Sequence, residues 1–216
     1  MKYKAVVFDM DGTLLDTLKD LANSTNFALK ACGFPKRTAD EVKSFVGNGV
    51  KKLIELSVPE GTSKEEKEKC LIIFEKHYLA HSQVDTKPYD GIIDLLTELK
   101  KRGIKTGVVS NKYHEALISV CDRFFGSLID YAVGEKEGVP KKPAPDAVFE
   151  CLKQLNSTKQ DTIYVGDSDV DIKTAKNAEL FFVGVSWGFR DEKFLRDNKA
   201  DTIINVPTAL LSLQII

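Results

Sequence analysis

Residues 5–14 read Ala5-Val6-Val7-Phe8-Asp9-Met10-Asp11-Gly12-Thr13-Leu14, and this stretch decides the fold class. Four consecutive apolar residues, without the alternation of a half-buried strand, suit a strand covered on both faces in a parallel sheet. The abrupt change at Asp9 puts two carboxylates, a glycine and a hydroxyl at the strand's carboxyl end, where ligands bind in open α/β sheets. Runs of the same kind recur at Ile104 to Val109, Tyr131 to Val133, Thr162 to Val165 and Phe181 to Val185. Helical patterns lie between them, such as Ile92, Leu95, Leu96 and Leu99, with Gly103 in the position of a C-terminal cap. From residue 88 onward this alternation predicts βα units and an open α/β sheet.

The stretch from Thr17 to about Thr86 has helical periodicity and no convincing strand run. Leu18, Leu21, Thr25 and Leu29 form one stripe. Thr38 with Glu41, and Ser63 with Glu66, have the spacing at which side chain and backbone cap each other at a helix start. The reading is three or four helices, inserted directly after the first strand as a small second domain closing over the strand ends. The expected boundaries are an α/β core of residues 1–15 and 87–216 and a helical domain of residues 16–86.

Size and charge narrow the function. The chain has 216 residues, with 31 Lys and Arg against 32 Asp and Glu and a net charge of -1, which gives no general attraction to nucleic acid or to an anionic membrane. Four cysteines, Cys32, Cys70, Cys121 and Cys151, lie at least thirty residues apart without a CxxC pair, so reduced thiols are expected. The basic start Met1 to Lys4 meets an apolar run that stops at Asp9, short of a signal peptide. The uncharged stretch Thr202 to Ile216 is shorter than the roughly 20 apolar residues that span a bilayer. A cytoplasmic protein, monomer or homodimer, is expected, with no nucleic-acid or membrane partner.

The strand ends carry the chemistry. The first ends in Asp9 to Thr13, the second in Ser110-Asn111, and the fourth in Gly166-Asp167-Ser168-Asp169-Val170-Asp171; the loop after the third carries Lys141-Lys142-Pro143. Parallel topology brings these ends to one edge of the sheet. Carboxylates meeting there repel by about 4 kcal/mol per pair at contact distance and an effective dielectric near 20. A cation must offset that, and oxygen ligands without His or Cys favour Mg2+ over zinc or copper. The site therefore calls for an anionic substrate, with Lys142 as a fixed positive charge and Ser110 and loop N–H groups for oxyanions. Asp9 and Asp11, two apart, lean to the same side. One can attack phosphorus while the other donates a proton to the leaving oxygen and then activates water. Gly12 permits the sharp turn out of the strand, and Thr13 can anchor a phosphoryl oxygen or the loop itself.

These four ordered segments, Phe8 to Leu14, Ser110-Asn111, Lys142-Pro143 and Gly166-Asp167-Ser168 with Asp171, resemble the four motifs of the haloacid dehalogenase superfamily over essentially the whole chain. The resemblance implies a Rossmann-like parallel-sheet core. It makes Asp9 the nucleophile that forms an aspartyl-phosphate and Asp11 the general acid/base. Asp9, Asp167 and the backbone carbonyl of Asp11 would bind Mg2+. Thr13, Ser110, Asn111 and Lys142 would hold phosphate, with Asp171 supporting Lys142 or the second shell of the metal; Asp169 has no assigned role. About a hundred residues separate Asp9 from Ser110 and only 32 separate Ser110 from Lys142, which resembles the helical C1 cap. Phe45-Val46-Gly47-Asn48-Gly49-Val50 resembles the substrate loop of phosphoglycolate phosphatases, and Val185 to Arg190 a segment common in that branch. The family usually has Gly where this chain has Glu179, which leaves the local turn open.

The resulting expectation is a Mg2+-dependent phosphatase for a small phosphorylated metabolite, with 2-phosphoglycolate the first candidate. A β-phosphoglucomutase-like mutase, a sugar or nucleotide phosphatase, a phospho-Asp receiver and a phosphate-binding module are the alternatives. A dehalogenase is disfavoured because its chemistry needs neither Asp11 nor Mg2+. Gly47-Asn48-Gly49 also reads as a plain turn, and Trp187 and Arg190 as core and surface. His77 and His81 lack the intervening Glu of a zinc helix and read as solvated residues, while His114 is at best a neighbour of the site.

Overall fold

The computed structural model describes residues 3–213; Met1, Lys2 and the last part of the uncharged C-terminal stretch, residues 214–216, lie outside the described residues. In chain order the elements are β1 (Ala5–Phe8), β2 (Leu15–Asp16), α1 (Leu18–Ala31), α2 (Ala39–Phe45), α3 (Val50–Ser57) and α4 (Lys64–His81). Then follow β3 (Lys87–Pro88), α5 (Ile92–Lys101), β4 (Lys105–Tyr113), α6 (His114–Phe124), β5 (Tyr131–Glu135) and α7 (Asp146–Leu155). The chain closes with β6 (Thr162–Gly166), α8 (Asp169–Ala178), β7 (Phe181–Val185), α9 (Glu192–Asp197) and β8 (Thr202–Ile204). Two compact units result, one holding the chain up to Leu15 and from Pro88 onward, the other Asp16–Lys87. The chain passes between them through β2 and β3, which pair as a two-stranded sheet.

In the first unit six strands run in the order β5-β4-β1-β6-β7-β8, and each neighbouring pair is parallel. The continuous apolar run in β1 has a direct cause in the packing. Val6 and Phe8 enter a core with Leu95, Leu96 and Leu99, while Ala5 and Val7 face Val148, Cys151 and Leu152 on the other side. Side chains alternate across a strand, so burial of both faces demands apolar residues at every position. Gly103 follows α5 as expected: its N–H reaches the Lys100 carbonyl, and the Ile104 N–H reaches Leu99.

The structure departs from the sequence reading at two places and fills in a third that the reading left open. β4 does not stop at Val109 but continues through Ser110-Asn111-Lys112 to Tyr113, with a register shift against β5. Thr202–Ile204, read as uncharged tail, pairs with β7 and extends the sheet. Glu179 replaces the usual glycine by taking the left-handed conformation itself, with φ 57 and ψ 40 at the end of α8. Its side chain is exposed and accepts an ion pair from Lys159 at 3.0 Å, a contact of small worth at such a site. A side chain in this conformation costs roughly 1 kcal/mol relative to glycine. Glu179→Gly is therefore expected to stabilise the protein by about 0.5–1 kcal/mol, measured as the shift in urea midpoint; a lower midpoint would contradict the strain at this turn.

The second unit is a four-helix block around Leu21, Leu29, Leu53, Ile54 and Phe74. Thr38 and Ser63 both form the full reciprocal cap with Glu41 and Glu66. Asp20 is buried in α1 and ties down the segment that leads out of the block. Its carboxylate accepts the backbone N–H groups of Val84, Asp85 and Thr86 and the Thr86 hydroxyl, all at 2.8–3.1 Å. No helix among the described residues is long and apolar enough to cross a membrane.

Candidate active site

The register of the sheet gathers the strand-end residues. Phe8 pairs with Val108 on one side and Val165 on the other, and the Asp9 N–H continues the ladder to the Val165 carbonyl at 2.9 Å. The residues that leave β1, β4 and β6 therefore emerge side by side at the carboxyl edge. Asp9, Asp167 and Asp171 are all buried, and each presents an oxygen within 4.8 Å of the others.

Lys142 sits among them at 4% exposure. Its ammonium donates to Asp9 Oδ1 at 2.7 Å, Asp171 Oδ1 at 2.8 Å and the Tyr164 hydroxyl at 3.2 Å. The other oxygen of Asp171 accepts the N–H and hydroxyl of Ser168, closing a reciprocal cap at the start of α8. Asp171 is thereby fixed by its own helix and aims Lys142 at Asp9. Asp167 is held differently: Oδ1 accepts the Thr13 hydroxyl at 3.1 Å and Oδ2 the Phe189 N–H at 2.6 Å. The Thr13 hydroxyl thus anchors Asp167. Asn111 donates its side-chain amide to the Lys142 carbonyl at 3.1 Å and steadies that loop. The Ser110 hydroxyl accepts the Lys112 N–H at 3.2 Å, which leaves its own proton for an anion.

Three further residues enter that the sequence reading does not select. Lys112 is buried, and its ammonium lies 3.1 and 3.4 Å from the two oxygens of Asp11. Tyr164, inside the apolar run of β6, turns its hydroxyl toward Lys142 and Asp171; a buried Tyr that must satisfy its O–H was the available signal. Trp187 donates its indole N–H to the Thr13 carbonyl at 3.1 Å. His114, the first residue of α6, accepts the Gly134 N–H of β5 at 3.3 Å. Gly47, Asn48 and Gly49 lie in the helical unit between α2 and α3, with Gly49 capping α3. His77 and His81 are also in that unit, with rings stacked 4.0 Å apart.

The electrostatics follow from burial. Three carboxylates lie together, with the Lys142 ammonium on Asp9 and Asp171, so full ionisation would leave two excess negative charges in the cluster. Burial holds the Asp9 carboxyl well above the usual range; Asp171 adds to this and Lys142 opposes it. Burial works to lower Lys142, but Asp171 and Asp9 outweigh it and hold the ammonium well above its ordinary value. The donor set is all hard oxygen, so it fits a hard divalent cation. With Asp171 committed to Lys142 and Ser168, Asp9 and Asp167 are the side chains that would hold it. Burial also pushes the thiols of Cys121 and Cys151 up to about 12, so neither is a thiolate nucleophile near neutral pH.

Burial pushes the Asp167 carboxyl up to about 7, with Asp171 adding and the Phe189 N–H and Thr13 opposing. An unfolded carboxyl titrates near ~4, so the folded chain binds this proton more tightly. Ionising Asp167 therefore costs stability as pH rises from about 4 to about 7, and the cost is constant above that. Asp167→Asn cannot ionise. In the presence of a chelator it is expected to gain on the wild type between pH 5 and pH 8, by on the order of a few kcal/mol. Urea denaturation at the two pH values measures this, and an unchanged difference between variant and wild type would contradict it.

The chain is similar to known proteins. A family profile described as haloacid dehalogenase-like hydrolase matches residues 6–185. Phosphoglycolate phosphatase of Aquifex aeolicus (strain VF5) is 35% identical over 187 residues, covering 86% of each chain. Phosphoglycolate phosphatase 1 of Pseudomonas aeruginosa is 27% identical over 208 residues, covering 94% of this chain and 76% of that one. A crystal structure from Lactobacillus delbrueckii subsp. bulgaricus, of a candidate phosphoglycolate phosphatase, superposes with a TM-score of 0.93 at 37% identity and covers 97% of both chains.

Proposed function

The chain belongs to the haloacid dehalogenase-like hydrolase family, and on that premise we propose that it is a Mg2+-dependent phosphatase acting on a small phosphate monoester through a phospho-aspartyl intermediate at Asp9. The observation that carries this reading is the buried ammonium of Lys142 bridging Asp9 and Asp171 beside Asp167. A lysine so placed keeps one oxygen of Asp9 fixed and offers positive charge where phosphoryl oxygens would gather.

Asp9 and Asp167 would hold Mg2+, which when bound offsets the excess negative charge and draws charge from the phosphoryl group. An oxygen of Asp9 attacks phosphorus, and the bond from phosphorus to the ester oxygen breaks. Asp11 gives a proton to that leaving oxygen. Asp11, as the carboxylate, then removes a proton from water, whose oxygen attacks the same phosphorus. Phosphate leaves and the Asp9 carboxylate is restored. Lys142 and the Ser110 hydroxyl hold phosphoryl oxygens through both halves. Lys112, on Asp11 at 3.1 Å, fixes the position of the proton carrier.

The substrate is proposed as 2-phosphoglycolate, because the similar proteins from Aquifex aeolicus and Pseudomonas aeruginosa bear the name phosphoglycolate phosphatase. Phosphate release from 2-phosphoglycolate, sugar phosphates, nucleotides and pyrophosphate, each with Mg2+ and with chelator, tests the reading. Mg2+-dependent release with the highest kcat/KM for 2-phosphoglycolate is expected. A preference for another ester would change the substrate and keep the reaction. Absence of release from every ester, or a sugar phosphate returned isomerised without free phosphate, would overturn the phosphatase reading.

A further inference from the structure

Ser186-Trp187-Gly188-Phe189-Arg190, which follows β7, supplies no side chain to the phosphoryl chemistry above, yet it bonds to Asp167 and to the Thr13 that holds it. The Ser186 N–H bonds the Ile204 carbonyl at 3.1 Å, which pins the start of the segment to β8. Three residues later the Phe189 N–H donates to Asp167 Oδ2 at 2.6 Å. Trp187 donates to the Thr13 carbonyl, and Thr13 in turn donates to Asp167 Oδ1, each at 3.1 Å. Both oxygens of Asp167 are thus held, one directly by the segment and one through it.

Gly188 shows how tight the closure is. A Cβ there would overlap the Gly12 carbonyl oxygen, and it would also press on the Asp167 carboxylate. A Cβ on Gly12, at φ 91, would likewise overlap the Asp167 carboxylate. Two backbones without side chains enclose a carboxylate that is 1% exposed. A carboxylate oxygen has two lone pairs, so one bond to each oxygen still leaves it able to ligate while removing its freedom to rotate.

We infer that Trp187-Gly188-Phe189 is a positioning strap that sets the direction of Asp167 and thereby the affinity of the site for a divalent cation. The inference rests on the proposal that Asp9 and Asp167 hold Mg2+. Groups that orient a metal ligand typically change metal affinity by about 10–100-fold when altered. The strap's bonds run to Asp167 and to the Thr13 carbonyl, so its loss is expected to appear in Mg2+ binding and not in substrate binding.

The test is calorimetric titration of the purified full chain with Mg2+ alone, beside kcat and KM measured at saturating Mg2+. Gly188→Ala drives a methyl group against Asp167 and Gly12; Trp187→Phe keeps an aromatic ring and loses the indole N–H together with part of the ring's packing. The Mg2+ dissociation constant is expected to rise at least about tenfold in Gly188→Ala and about threefold in Trp187→Phe, with KM for the ester within about twofold of wild type. Should Gly188→Ala fail to fold, Trp187→Phe decides on the same criterion. A wild type that binds Mg2+ together with folded variants that bind it equally well would overturn the strap alone. A wild type that binds no Mg2+ would overturn the cation reading and the strap with it.

Discussion

Asp9→Asn is expected to lower turnover by roughly 10,000-fold or more and to leave the fold intact. The amide keeps the volume of the carboxylate but cannot attack phosphorus, so the covalent route closes. Stability moves the other way from the usual active-site substitution. Burial and Asp171 hold the Asp9 carboxyl well above its ordinary value, which means that ionising it costs folding free energy at neutral pH. In chelator at pH 8 the variant is expected to melt at or above the wild-type temperature. Turnover at the wild-type rate would remove Asp9 from the mechanism, and a large fall in melting temperature would contradict the electrostatic account of the cluster.

Lys142→Met is expected to have the larger structural effect. The ammonium lies within 3 Å of both Asp9 and Asp171, and methionine fills the space without the charge. Removing one partner from a buried ionic cluster typically costs about 3–5 kcal/mol. The cost should be greatest at alkaline pH in chelator and smaller near pH 5, where the raised proton affinity of Asp9 and Asp167 keeps those two carboxyls neutral. Mg2+ should restore part of the stability, since it supplies charge to the same oxygens, while phosphate release stays reduced by roughly 100-fold or more. Denaturation at pH 5 and pH 8, with and without Mg2+, separates these effects. A loss of stability independent of both pH and Mg2+ would assign Lys142 to packing alone.

Much of this arrangement could be read from the sequence because it depends on local pattern. The apolar runs that end in Asp9, Ser110 and Asp167 announce strands buried on both faces, and parallel topology alone is enough to bring their ends together. The caps at Thr38 and Ser63 are local as well, fixed by residues three apart. What escaped is what tertiary contact decides. Thr202–Ile204 is too short and too ordinary to declare itself a strand; β7 beside it makes it one. The polar Ser110-Asn111-Lys112 reads as loop, yet β5 holds the end of that stretch in the sheet. Lys112 and Asp11 meet across 101 residues, and no spacing rule links them. Thr13 was legible as a site residue, but only the structure shows its hydroxyl spent on Asp167. The strap at Trp187 lies in a segment whose residue types fit core and surface equally well.

Passage of phosphate through Asp9 would leave a covalent intermediate, which trapping can detect. Asp11→Asn should slow attack of water while still allowing phosphorylation by p-nitrophenyl phosphate, whose leaving group needs little protonation. The variant would be mixed with Mg2+ and this ester, quenched in acid, cleaved, and its peptides weighed. The account predicts one phosphorylated peptide, containing residues 5–14, with the phosphate on Asp9 and none in the same experiment on Asp9→Asn. Phosphate on another residue, or nitrophenol released in a stoichiometric burst with no phosphorylated peptide, would contradict it.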